Sequence, residues 1–327
     1  MAVSEGRAPV ALALRALGLG DFLTAVPALR GIARGFPEHR VVVAAPPALA
    51  PLAALVREVH GLVPAAPLAP IAGAGRVDVA VNLHGRGPQS HRALLALRPG
   101  RLVAFAHPEV PASRGGPAFD ESEHEVARWC RLLRTFGIPA DPGDLDLELD
   151  DEPPLHPGYA LLHPGAASPA RRWPPERFAA LGRELARRGR RVLVMAGPGE
   201  ARLAREVAEW AGLGAGAVPE GGDLRAAARL VRHASLLVCG DTGIGHLATA
   251  LGTPSVLLFG PMPPSLWGPP ASRPRHRVLH RGLRGDPHGA RLDPGLAAIG
   301  VDEVLAAIDG LEREASPVRE ARAAARP

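Results

Sequence analysis

Three short stretches of this chain place charged or hydroxyl side chains beside glycine at the end of an apolar run. The first is Gly18-Leu19-Gly20-Asp21, which precedes a helical pattern of Phe22, Val26, Leu29, Ile32 and Ala33. A carboxylate there can serve as a general base, or it can simply cap the helix, the commoner use of aspartate at a helix start. The second runs from His163-Pro164-Gly165 through Ser168 to Arg171-Arg172-Trp173-Pro174. Arginines beside a helix N-terminus suit a pyrophosphate, through bidentate hydrogen bonds and the helix dipole. The plain alternative is an exposed basic turn. The third is Cys239-Gly240-Asp241-Thr242-Gly243-Ile244-Gly245-His246. Its amides and the Thr242 hydroxyl can cradle phosphate oxygens, and Asp241 can accept hydrogen bonds from sugar hydroxyls. His246, on the first turn of a helix, reads equally well as a structural histidine.

Apolar runs and helical periods must hold these stretches in place. Pro9–Leu14 reads as a strand, Arg40–Ala45 as a second, and Val77–Leu83 as a third, with Ala48–Val59 helix-like between the last two. Arg101–Phe105 reads as a short strand, and Glu121–Phe136 as an amphipathic helix with Val126, Trp129, Leu132, Leu133 and Phe136 on one face. Residues 139–157 hold seven acidic residues and five prolines, the composition of an interdomain linker. Strand and helix patterns then alternate again from Tyr159 to Leu311, and residues after Glu314 read as a frayed tail. The predicted organisation is α/β throughout: domains at 1–155 and 156–314 and a flexible tail at 315–327. In open sheets of this kind ligands sit at the carboxyl ends of the strands.

Composition narrows the function classes. The chain has 327 residues, enough for two cores. Aromatics are only 4%, so those cores must be built from Ala, Val and Leu. The formal charge of +5 and pI near 10.5 would fit a nucleic-acid binder, but there is no lysine, the arginines have acidic neighbours, and no basic-aromatic stripe exists. Cys130 and Cys239 lie in apolar runs, as buried thiols of a reducing compartment do. No leader pattern or membrane-length apolar run is present, which predicts a soluble, cytoplasmic protein able to touch a membrane surface. No Asp-x-Asp or histidine cluster marks a metal. The Gly18-x-Gly20 turn lacks the third glycine of a dinucleotide fingerprint, and no acidic residue follows the second strand near Val43, which excludes a nicotinamide-dependent oxidoreductase.

Taken together, Gly20-Asp21 with Pro27-Ala28-Leu29, His163-Pro164-Gly165 with Arg172-Trp173-Pro174, and Gly240-Asp241-Thr242-Gly243-x-x-His246-Leu247-Ala248 resemble glycosyltransferase family 9, the heptosyltransferases. Leu251-Gly252-Thr253-Pro254 and Phe259-Gly260-Pro261 extend the resemblance, which runs from Leu12 to about Leu311. It implies a GT-B fold of two facing Rossmann-like domains, with the acceptor on the first and a nucleotide sugar on the second. It also implies inverting, metal-independent transfer of a heptose or related sugar, with ADP-heptose the family's usual donor and a glycan, glycolipid or metabolite as acceptor. Asp21 falls at the family's catalytic base. Ser168, Arg171, Arg172, Asp241, Thr242, Gly243 and His246 fall on the donor side, with Arg171 in the place of a lysine. No metal or other cofactor is implied, and no nucleic-acid partner. Arg225 stands where a glutamate often contacts the donor ribose, and the acceptor stretch Asn82–Ser90, with Arg86 and Gln89, matches least. The alternatives are a sugar-nucleotide epimerase or hydrolase of the same architecture and a non-catalytic nucleotide-sugar binder.

Overall fold

The computed structural model describes residues 8–149 and 158–324. The chain forms two compact units, one of residues 1–149 with Asp223–Arg225, the other of residues 150–222 and 226–327. The division after Leu149 falls inside the acidic, proline-rich stretch, whose last residues, 150–157, lie outside the described ones.

Unit 1 carries β1 (Val10–Leu14), α1 (Leu19–Gly35), β2 (Arg40–Ala45), α2 (Ala50–Ala53), β3 (Gly61–Pro64), β4 (Val79–Asn82), α3 (Gln89–Leu95), β5 (Arg101–Val103) and α4 (Glu125–Thr135). Its five strands form a parallel sheet in the order β3-β2-β1-β4-β5. The central run Ala11, Leu12 and Ala13 is fully buried, as a parallel strand covered on both faces must be. The chain leaves β1 toward β2 on one side and reaches β4 on the other, so the order reverses between β1 and β4, where such sheets make a crevice.

Unit 2 carries β6 (Ala160–His163), α5 (Pro175–Arg187), β7 (Val192–Val194), α6 (Ala201–Trp210), α7 (Leu224–His233, apart from its first two residues), β8 (Leu236–Gly240), α8 (Gly243–Leu251), β9 (Ser255–Leu258), α9 (Pro264–Trp267), β10 (His276–Leu279), α10 (Pro294–Ala297) and α11 (Val301–Ala324). The parallel order is β10-β9-β8-β6-β7, which reverses between β6 and β8. Its largest anchor is Trp173, 1% exposed, stacked edge-on against Phe178 at 4.9 Å and donating its indole N–H to the Ile299 carbonyl at 2.9 Å. The indole thus seals the core while its one polar atom stays satisfied.

Four differences separate the structure from the sequence reading. The helix expected over Ala48–Val59 is instead a 3-10 turn at Pro47–Leu49 followed by the single helical turn Ala50–Ala53. β3, α3 and β10 are edge or short elements with too few residues to show a period. The helix read as ending near Leu311 continues as helical backbone to Ala324, through residues expected to be frayed. The supposed linker is tied down where it is described. Arg30 donates to the Asp144 and Asp146 carbonyls at 2.8 and 2.7 Å, Arg34 pairs with Asp144 at 2.7 Å, and Leu145 packs on Val126 and Cys130.

That packing sets the pose of α1 against α4. A Cβ on Gly31 would lie 2.7 Å from the Pro139 carbonyl oxygen and 3.1 Å from a Leu133 methyl, so only glycine lets the chain pass this close. Gly31→Ala should therefore destabilise unit 1 by about 1–3 kcal/mol, read as a lower urea midpoint at unchanged slope.

Candidate functional site

In unit 1, β1 and β4 are parallel neighbours with Leu14 level with Asn82, so the segments after them leave the sheet side by side. Arg15 follows β1 and is 1% exposed. A buried guanidinium must spend its donors on protein. Nε donates to the Asp21 carbonyl at 2.8 Å, one terminal nitrogen to the Leu83 carbonyl at 2.5 Å, and the other to Glu125 Oε1 at 2.7 Å and Asp21 Oδ1 at 3.2 Å. The guanidinium also lies 4.9 Å from the centre of the Trp129 ring.

Asp21 is the third residue of α1, and Gly18, not Asp21, is the N-cap. Its carboxylate reaches back to accept the Gly18 N–H at 3.2 Å, so it satisfies one helix-end donor while keeping a partly exposed face. Burial raises its pKa above the ordinary carboxylate value, Arg15 opposes the rise, and the Glu125 charge adds to it. A carboxylate that binds a proton more readily than usual is better matched to general-base work near neutral pH.

The segment after β4 is held by its own buried polar group. Asn82 sends its side-chain amide to the Gly85 carbonyl, Ser90 Oγ and His91 Nδ1 at 3.0–3.2 Å and accepts the His84 N–H at 3.0 Å. His91 Nε2 lies 2.8 Å from the Phe105 carbonyl, which accepts only, so that nitrogen carries the proton and Nδ1 is the acceptor. His84 Nδ1 is buried without a partner, and burial followed by the Arg15 charge lowers the His84 pKa. The two acceptor candidates lie at the surface: Arg86 pairs with Glu121 at 3.1 Å, and Gln89 opens α3.

In unit 2, β6 and β8 are neighbours with His163 level with Cys239, which brings the second and third stretches together. Gly240 makes this possible, since a Cβ there would lie 2.9 Å from the Arg171 carbonyl oxygen. The Arg171 guanidinium approaches the Asp241 carbonyl oxygen at 3.4 Å and its carboxylate at 3.7 Å. Asp241 is 7% exposed, and its burial raises its pKa against the pull of Arg171. Thr242 is the N-cap of α8, yet its hydroxyl caps nothing. Thr242 Oγ1 and Arg171 Nε are both buried without a hydrogen-bond partner, with the Cys239 thiol beside the threonine. Two orphaned polar atoms at one helix N-terminus are the kind of exception that a phosphate oxygen would satisfy.

The other predicted donor residues divide. Gly243 is the first residue of α8, and His246 one turn on stacks edge-on with Trp267 at 6.0 Å. Ser168 gives its hydroxyl to the Pro287 carbonyl at 2.5 Å, and Arg172 turns back to the Ala166 carbonyl at 2.9 Å, so both brace the loop. Glu200 also shapes it: its carboxylate accepts the Gly197 N–H at 2.8 Å and fills the space where a Cβ on Gly165 would be. Sequence reasoning missed Arg15, Glu125, His84 and Glu200. A charged residue closing the apolar run Val10–Leu14 was the one available signal, and it pointed to Arg15 alone. Among the described residues no cluster of His, Cys, Asp or Glu could hold a metal ion. Both cysteines are buried and free, their thiol pKa values pushed up to about 12.

The model of the family described as glycosyltransferase family 9 (heptosyltransferase) matches residues 117–285. The chain is 33% identical over 153 residues to lipopolysaccharide heptosyltransferase 1 of Pseudomonas aeruginosa, covering 45% of this chain and 42% of that protein. It is 31% identical over 207 residues to lipopolysaccharide heptosyltransferase 2 of Salmonella typhimurium, covering 59% and 53% respectively. The chain thus spans about half the length of these curated relatives. The structure superposes on the ADP-heptose lps heptosyltransferase II of E. coli with a TM-score of 0.73 at 20% identity, covering 94% of this chain and 99% of that one. At that identity the likeness shows the fold, which is GT-B.

The tight approach at Gly240 gives the test of the unit 2 geometry. Gly240→Ala should push the Arg171 segment away from Asp241 and Thr242 and destabilise unit 2 by about 1–3 kcal/mol, read as a lower urea midpoint at unchanged slope.

Proposed function

This chain belongs to glycosyltransferase family 9, and on that premise we propose that it transfers a heptose or closely related sugar from a nucleoside diphosphate to an acceptor hydroxyl. The observation that carries the reading is the Arg171–Asp241–Thr242 grouping at the end of β6 and β8, where a cation, a carboxyl group and two unpartnered polar atoms meet a helix N-terminus. ADP-heptose is the proposed donor, since the E. coli protein of the same fold is an ADP-heptose transferase. A lipopolysaccharide core or another glycan is the proposed acceptor, after the two curated relatives.

In the proposed reaction the acceptor oxygen attacks the anomeric carbon while its proton passes to the Asp21 carboxylate. The bond from that carbon to the diphosphate oxygen breaks, its electron pair leaves with the diphosphate, and the configuration inverts. Arg171, the Thr242 hydroxyl and the first amides of α8 meet the charge growing on the leaving group, and Asp241 orients the sugar. These donors supply the stabilisation that a divalent ion supplies in other phosphate chemistry, so the reaction is proposed to be metal-independent. A glycolipid acceptor puts the reaction at the cytoplasmic face of the inner membrane. No helix among the described residues is long and apolar enough to cross a membrane.

Asp21→Ala should lower transfer by about 10²–10⁴-fold while leaving ADP-heptose affinity within about threefold, as expected for loss of a general base. Arg171→Ala and Asp241→Ala should instead weaken donor binding, measured by calorimetry without metal. Full transfer by Asp21→Ala would refute the base assignment, and donor hydrolysis that ignores acceptor would favour a hydrolase.

The pH profile has a definite sign. Asp21 acts as a base only when ionised, and its pKa is raised. Turnover should therefore fail at a higher pH on acidification than an ordinary carboxylate would dictate, and Asp21→Asn should abolish that limb with the activity.

A further inference from the structure

The carboxylate assigned as the base does not have its cation to itself. Arg15 is shared between Asp21 and Glu125, and the shares are unequal: 2.7 Å to Glu125, whose side chain is 5% exposed, against 3.2 Å to Asp21, whose side chain is 29% exposed. Glu125 is itself locked. Its Oε1 also accepts the Trp129 indole N–H at 2.9 Å, and its Oε2 pairs with Arg128. Arg128 is fixed in turn by the Asp120 and Glu123 carbonyls at 2.9 and 2.8 Å and by the Phe119 ring at 4.7 Å. Two guanidinium and two carboxylate groups therefore balance when Asp21 is ionised.

Resting on the reading of Asp21 as the base, we propose that Arg15 and Glu125 are positioning residues that hold Asp21 in place and set how strongly it binds a proton. Arg15 grips Asp21 twice, through the backbone carbonyl at 2.8 Å and the carboxylate at 3.2 Å, which fixes the side chain at the first turn of α1. Glu125 takes the shorter contact of the same guanidinium. An undivided arginine beside a carboxylate typically depresses its pKa by about 1–3 units and weakens it as a base. Burial is the largest influence on the Asp21 carboxyl and raises its pKa, and Glu125 adds to that rise against Arg15. The groups facing Asp21 are Arg15 from the end of β1, Glu125 from α4 with Arg128 behind it, and the Gly18 N–H. His84, after β4, faces Arg15, and burial and that cation disfavour its charged form.

A structural staple predicts something different. If Arg15 and Glu125 only fasten β1, β4 and α4, substituting them lowers stability and leaves kcat of the folded protein unchanged. The test is a side-chain ¹³C carboxyl NMR titration of the full chain, with Asp21 assigned by loss of its resonance in Asp21→Asn. Glu125→Gln should move the Asp21 midpoint down by about one pH unit, because Arg15 then acts on Asp21 alone. Arg15→Met should move it up by a similar amount, and the double variant should fall between the two. With ADP-heptose and a heptose-free lipopolysaccharide core, Glu125→Gln should also lower kcat about threefold at unchanged donor KM, the loss expected of a weaker base.

An unchanged or raised Asp21 midpoint in Glu125→Gln would overturn the proposal. Arg15→Met carries the same test with opposite sign if Glu125→Gln does not fold. The titration needs no substrate, so its outcome is separate from that of the transferase reading. Transfer that survives Asp21→Asn would remove the base assignment while leaving the measured charge coupling intact.

Discussion

A guanidinium buried at the end of the central strand of unit 1 has no water to turn to, so every partner it takes becomes a geometric constraint. Arg15 takes partners from α1, from the end of β4 and from α4. Removing any one of them leaves a buried charge short of a partner, which typically costs about 3–5 kcal/mol and is a far larger penalty than a surface ion pair can impose. The pose of Asp21 and the exit paths of two strands follow from that single requirement. The Trp129 ring beneath Arg15 belongs to the same arrangement, since its N–H and the guanidinium share Glu125 Oε1.

Unit 2 solves a related problem in the opposite way. Arg171, in the short turn Pro169–Arg171 after β6, also lies beside a carboxyl group, but its contacts with Asp241 are long and its Nε has no partner. One arginine is saturated by protein and serves as scaffold. The other keeps unspent hydrogen-bonding capacity at a helix N-terminus, which is what an anionic ligand requires. What separates the two arginines is how many carbonyl and carboxylate oxygens surround each.

Much of this was legible in the sequence because the relevant signals are local. Glycine at Gly18, Gly20, Gly240 and Gly243 marked the strand-to-helix turns, and the apolar runs around Leu12, Leu161 and Val238 marked central strands. The resemblance to family 9 put Arg171, Asp241 and Thr242 on one side, where the turns alone left it open that Arg171 was an exposed basic residue. What the sequence hid is either short or long-range. β3, α3 and β10 are too brief to show a period, and Ser168 and Arg172 owe their roles to carbonyls that face them only in the folded chain. Asp21 is an N-cap by residue type, yet it occupies the third helical position and reaches back to Gly18. Glu125 lies 110 residues from Arg15, and no spacing rule links such a pair.

That separation has a consequence for how the protein comes into being. The Arg15 contacts with Leu83 and Glu125 join residues 68 and 110 positions apart, through a parallel sheet whose pairings are all non-local. Such pairings form late, after the entropy of closing long loops has been met. During synthesis Asp21 emerges well before α4, and until α4 docks its carboxylate competes with no Glu125 for the arginine. The environment that shapes Asp21 therefore comes into existence only when unit 1 is complete, so chemical competence at this residue doubles as a report that its unit has folded.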